Sequence, residues 1–206
     1  RRVRAGTFHA LALATLRAHG DALGLDPSFV LLARDERRQL LSEALAAAGV
    51  DPRGRPGITP DRFERALARA ENDERPLSEV VFEHEPDVAI LAEALEDAAE
   101  RYARAKAGLH ALDFDDLLVM WRVLLDPERD TGRKLTAALD HVLVDEYQDT
   151  TPIQARIAED LAETACLFVV GDDAQSIYGF RGARFDNILE FPTRAPTEVH
   201  RLVTSY

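Results

Sequence analysis

The sequence predicts an α/β fold in which a parallel sheet is interrupted by an all-helical insertion. Three observations carry that prediction. Residues 141–144 and 166–170 are short, β-branched apolar runs without alternation, the pattern of strands covered on both faces. Each run stops at carboxylates, Asp145-Glu146 and Gly171-Asp172-Asp173, with a helical pattern between them, so two parallel strands are expected to end side by side. Residues 25–112 are polar and periodic at helical spacing.

In chain order, Thr7 precedes an alanine- and leucine-rich helix over residues 10–16 that stops near Gly20. Apolar positions recur at helical spacing in 34–48, 60–70 and 86–107, and the Pro- and Gly-rich residues 51–57 form a loop. Asp113 is the expected N-cap of a helix through Phe114, Leu117, Leu118, Trp121 and Leu125, ended by Pro127. After the strand at 141–144, Pro152 suits the first turn of a helix over 153–162. The strand at 166–170 follows, then a helix ended by Leu189-Glu190-Phe191-Pro192 and a last strand over 198–203.

The carboxyl end of a parallel sheet is where open α/β folds bind ligands. Asp145 there suits Mg²⁺ held through water, because Mg²⁺ keeps several waters and takes few protein carboxylates. Glu146 suits orienting and deprotonating an attacking water, since phosphoryl transfer depends mostly on positioning and charge stabilisation. On its own, Asp-Glu more often only ends a strand in solvent; Tyr147-Gln148-Asp149 and the second run reverse those odds. Gln175 is placed to sense a terminal phosphate. Tyr178, Phe180 and Arg181 lie in a turn opened by Gly179 and Gly182, and aromatic faces with an interleaved guanidinium are a platform for stacking single-stranded bases. The combination reads as an ATP-driven nucleic-acid motor.

At these residues the chain resembles the UvrD/PcrA/Rep family of superfamily 1 DNA helicases. Residues 145–149 resemble the family's motif II, 171–183 its motif III, and Gly6-Thr7-Phe8-His9-Ala10 its motif Ib, which touches single-stranded DNA. Residues 112–118 resemble the acidic segment ahead of motif II, and Thr204-Ser205-Tyr206 the start of motif IV. The resemblance implies an incomplete RecA-like P-loop NTPase core. Residues 1–20 and 113–203 fall in domain 1A, 21–112 in the helical 1B-like insertion and 204–206 in the start of domain 2A. It implies ATP and Mg²⁺ at Asp145, Glu146, Gln175 and Arg181. It places Thr7, Phe8, His9, Tyr178, Phe180 and Arg181 on single-stranded DNA near duplex junctions, with 3′ to 5′ unwinding and repair proteins as further partners. At Phe180 many relatives carry tryptophan.

One departure from the family pattern is decisive: no G-x-x-x-x-G-K-[ST] occurs anywhere in the sequence. That loop cradles phosphates with its amides and lysine. With Met120 as the only methionine, the reading is an internal fragment of a larger motor. Two rivals stay open, the helicase arm of a helicase–nuclease complex and a non-catalytic remnant.

Composition fits a soluble cytoplasmic piece. The 206 residues are 46% hydrophobic and 30% charged, without an apolar run near the ~20 residues that span a bilayer. The single Cys166 precludes an internal disulfide and reads as a small core residue. The net charge of −12 opposes broad phosphate binding. A narrow groove needs only a few cations, and Arg1, Arg2, Arg4, Arg181 and Arg184 could supply them.

Overall fold

The computed structural model describes residues 3–54, 56–172, 186–194 and 197–201. The Thr7 hydroxyl accepts from the Ala10 amide at 3.3 Å and opens α1, Phe8–His19, which carries Arg17 and His19 in its last turn. A short strand β1, Val30–Leu31, leads into four helices: α2 Arg34–Ala47, α3 Pro60–Asp73, α4 Leu77–His84 and α5 Ala92–Gly108. Thr59 caps α3 and Pro60 sits in its first turn, where its missing N–H leaves no intrahelical bond unmade. The expected single helix over 86–107 is a 3-10 turn, Pro86–Leu91, followed by α5. The helix α4 was not foreseen.

The chain returns beside its point of departure. Strand β2, Ala111–Leu112, pairs in parallel with β1, Val30 opposite Ala111 and Leu31 opposite Leu112. Helix α6, Phe114–Leu124, follows under a capping box in which the Asp113 carboxylate accepts from the Asp116 amide and Asp116 from the Asp113 amide. Helix α7, Asp130–Ala137, was also not foreseen. Strand β3, His141–Val144, helix α8, Pro152–Leu161, strand β4, Cys166–Val169, and helix α9, Asp186–Arg194, complete the described elements. Helix α9 runs through Pro192 rather than ending there, and Glu198–Arg201 carries no strand; residues 202 and 203 lie outside the described residues.

The apolar residues gather into three clusters. Helices α2 to α5 share one, centred on Leu41, Leu45, Phe63, Val80 and Leu95. A second joins α1, α6 and α8 through Leu16, Leu117, Trp121, Leu124 and Ile157. The third places Val144, Tyr147, Ala155 and Ala158 under the β3–β4 pair.

Strands β3 and β4 are parallel, His141 opposite Cys166 through Val144 opposite Val169. The expectation that both faces would be covered is corrected. Val142, Val144, Leu167 and Val169 turn toward α8, whereas Leu143 is 73% and Phe168 54% exposed. Cys166 is likewise exposed rather than a core residue. Side chains alternate between faces along a strand, and among the described residues only the α8 face is packed.

Candidate functional site

Strands β3 and β4 deliver their carboxyl ends together. The Val170 amide donates to the Val144 carbonyl and the Tyr147 amide to the Val170 carbonyl, both at 2.9 Å, so the pairing persists past the strands themselves. Asp145 and Glu146 leave β3 exposed to solvent. Glu146 adopts φ 51°, ψ 44°, a left-handed conformation that costs a non-glycine residue energy and is retained where surrounding structure over-determines it.

The surroundings supply that constraint. Gln148 is 1% exposed; its Nε2 donates to the Glu146 carboxylate at 2.7 Å and its Oε1 accepts from the Asp172 amide at 3.0 Å. The Asp145 carboxylate accepts from the Glu146 amide at 3.0 Å. Tyr147 is fully buried, edge-on to Phe191 at 5.3 Å, and the Thr150 hydroxyl donates to the Tyr147 carbonyl at 2.6 Å. A short turn thus presents two carboxylates outward while the next two side chains, Tyr147 and Gln148, anchor it inward.

Among the described residues no group of three or more His, Cys, Asp or Glu could hold a metal ion. A lone carboxylate at a strand end instead suits Mg²⁺, whose remaining positions are filled by waters and substrate phosphates. The hard oxygen donor of Asp145 fits that metal. A phosphate-cradling loop is not supplied by these residues.

A second surface lies at the start of α1. His9 is half-buried, its ring centroid 5.5 Å from that of Phe114 at an interplanar angle of 48°. Burial pushes the His9 imidazole below its ordinary value, and the nearby Asp115 carboxylate partly opposes the shift. Phe8 packs inward, against both the α1–α6–α8 cluster and the cluster beneath β3. Thr7 spends its hydroxyl on the helix cap.

A family described as the UvrD/REP helicase N-terminal domain matches residues 1–196, nearly the whole chain. The chain belongs to the UvrD/REP helicase family. It is 34% identical over 194 residues to an ATP-dependent DNA helicase PcrA of Leuconostoc citreum, covering 92% of this chain and 25% of the relative. It is 30% identical over 216 residues to a DNA helicase II of Haemophilus influenzae, covering 98% of this chain and 27% of that protein. A PcrA helicase of Staphylococcus epidermidis is 29% identical over 195 residues. The chain spans about a quarter of the length of these relatives.

Within this UvrD/REP domain, Asp145 and Glu146 stand together at one strand end, and Thr7, Phe8 and His9 open one helix. Gln175, Tyr178, Phe180 and Arg181 lie outside the described residues. Two residues at these surfaces received no role of their own in the sequence reading. Gln148 carried a signal, a glutamine two residues after the strand-end glutamate. Phe114 was masked by its own periodicity: three residues ahead of the buried Leu117 it reads as part of a core face, yet it is 55% exposed.

Proposed function

We propose that the chain is the nucleotide-hydrolysing and strand-contacting part of an ATP-dependent DNA helicase. Its RecA-like core is formed by residues 1–20 and 113–203, and a 1B-like helical insertion by 21–112. The observation that carries this reading is the turn after β3. It holds Asp145 and Glu146 outward at the carboxyl ends of two parallel strands, with Glu146 tied through Gln148 to the end of β4.

Asp145 is the residue that would hold Mg²⁺, through water. When bound with ATP, the metal neutralises charge on the phosphate oxygens. The Glu146 carboxylate orients the attacking water and accepts its proton, with ADP and phosphate as products. Gln175 contacts the terminal phosphate and Arg181 the nucleotide site. Strand contact falls to His9 and Phe114 at the start of α1 and α6, and to Tyr178, Phe180 and Arg181; stacking on one aromatic contributes about 1–3 kcal/mol per base. The phosphate-cradling loop and the partner domain belong to the remainder of the motor, whose substrate is single-stranded DNA beside a duplex.

The test is Glu146→Gln in the full-length protein. Nucleotide binding should persist while turnover with saturating single-stranded DNA falls by roughly 10²- to 10⁴-fold, the scale of a positioned base. Turnover within a few-fold of the unsubstituted protein would remove Glu146 from this role.

A further inference from the structure

The four residues Asp113 to Asp116 are held in two opposite ways. Asp113 is 2% exposed and accepts from the Tyr102 hydroxyl at 2.7 Å and the Lys106 ammonium at 2.8 Å, both on α5. Asp116 accepts from the same ammonium at 2.6 Å. Asp115 accepts from the Arg37 guanidinium of α2 at 2.7 Å. Phe114 stands among them and takes no part, its ring lying instead against His9 and remaining more than half exposed. Both sequence neighbours of Phe114 are therefore gripped by the helical segment, while Phe114 faces the other way.

Lys106 is 5% exposed, with its ammonium 4.4 Å from the centre of the Tyr102 ring. Lysine is almost never buried unless paired. A buried ion cluster gains little stability over well-packed apolar residues of the same volume, whereas removing one partner is strongly destabilising. What the cluster does supply is geometry. Two carboxylates fixed by one ammonium, in a turn already closed by a reciprocal capping box, leave the first turn of α6 a single position.

We propose that Lys106 is a positioning residue for DNA contact. By holding Asp113 and Asp116 it sets the first turn of α6, and with it the Phe114–His9 pair, so that the helical segment governs how tightly the strand is bound. This rests on the reading of His9 and Phe114 as base-contacting residues. A second polar network provides the comparison. Glu74 of the α3 C-cap meets Arg156 of α8 at 2.6 Å, and Arg122 near the end of α6 meets Asp160 of α8 at 3.0 Å. It too ties the helical segment to α6 and α8, but at the far end of α6.

The experiment measures binding of a fluorescent oligo-dT by anisotropy and steady-state ATPase in the full-length protein, below its melting temperature. Lys106→Met should weaken DNA binding about tenfold, and Tyr102→Phe, which removes one hydrogen bond and keeps the ring, about threefold. The KM for ATP should stay within about twofold in both. Glu74→Gln should leave DNA affinity unchanged. Wild-type affinity in Lys106→Met and Tyr102→Phe, or an equal loss in Glu74→Gln, overturns the proposal; if Lys106→Met does not fold, Tyr102→Phe decides. Phe114→Ala separates the two levels. Unchanged DNA affinity there sinks the strand-contact reading, whereas a loss there beside unaffected Lys106 and Tyr102 variants sinks the positioning role alone.

Discussion

Gln148 donates to the Glu146 carboxylate at 2.7 Å and accepts from the Asp172 amide at 3.0 Å, so one buried amide joins the ends of both parallel strands. Each half of that amide has a distinct task. Its Nε2 holds a side chain on a backbone in the left-handed region, and its Oε1 satisfies an N–H on the segment that leads into Asp173 and Gln175. Gln148→Leu preserves approximate volume and removes both hydrogen bonds. The Asp172 amide then loses this acceptor, and because Asp172 is exposed, water can replace it. In the full-length protein the expected outcome is a fall in kcat of roughly 10- to 100-fold, with KM for ATP within about twofold, as befits a group that orients the base rather than binding substrate. Equal losses in kcat and ATP affinity would make Gln148 a packing residue only.

The strand-end carboxylates were legible because apolar runs that stop at Asp-Glu are local patterns, and the cap at Asp113 was legible for the same reason. What escaped depended on contacts distant in sequence. The pairing of Val30 with Ala111 spans the whole helical segment and involves two-residue strands, too short to have a period. The Lys106–Asp113–Arg37 cluster joins three elements, none of whose charges differs in sequence from a solvated one. The run 142–144 is uniformly apolar, so its pattern could not tell a strand covered on both faces from one with Leu143 exposed.

The charge cluster gives stability a specific pH dependence. Burial pushes the Glu71 carboxyl up to about 8, with Asp115 and Asp113 adding to the shift and Lys106 opposing it. An unfolded glutamate titrates near ~4.3, so the folded state binds this proton more tightly. The stability Glu71 contributes is therefore fully present below about pH 4.3 and lost as pH rises to about 8. Asp113 works in the other sense. Burial opposes its charge, but Lys106 and Arg37 overcome that and hold it down to about 2. Its contribution is present above the unfolded value near ~3.9 and is lost as pH falls toward 2. Glu71→Gln, a neutral mimic of the protonated acid, should leave Tm unchanged below about pH 4 and raise it near pH 8, by a few kcal/mol of stability at most. Thermal melts across that range check it; parallel curves for both proteins would place Glu71 in water.

The bare side of the β3–β4 pair makes opposite predictions in two settings. Leu143, Phe168 and Val170 are 73%, 54% and 45% exposed, a contiguous apolar surface of the kind that marks an interface. Leu143→Ala and Phe168→Ala remove side chains that are mostly exposed in residues 1–206 alone, so the Tm of that chain should fall only slightly and its soluble fraction should rise. In the full-length protein, where helices of the proposed core would cover this face, each should cost about 2–5 kcal/mol, the scale of large-to-small changes in a core. Chemical denaturation of both forms checks this. No destabilisation in the full-length protein would leave this face solvent-exposed there too.

Residues 1–206 expressed alone should show neither DNA-stimulated ATPase nor millimolar-or-better ATP affinity by calorimetry. The chain places Asp145 and Glu146 at the strand ends, but its sequence holds no G-x-x-x-x-G-K-[ST] whose amides and lysine would grip the triphosphate. A carboxylate that holds Mg²⁺ through water draws its affinity from the phosphates the metal carries, so without a cradle neither partner is retained. Transition-state charge is a second deficit: an arginine finger alone contributes roughly 10³ to 10⁵ in rate, and no such residue is assigned among the described residues. Adding the missing loop should restore nucleotide binding before it restores turnover, because binding needs the cradle while hydrolysis also needs the finger. Clear DNA-dependent turnover by residues 1–206, in a preparation free of host helicases and abolished by Glu146→Gln, would mean that phosphates are held by groups other than the loop.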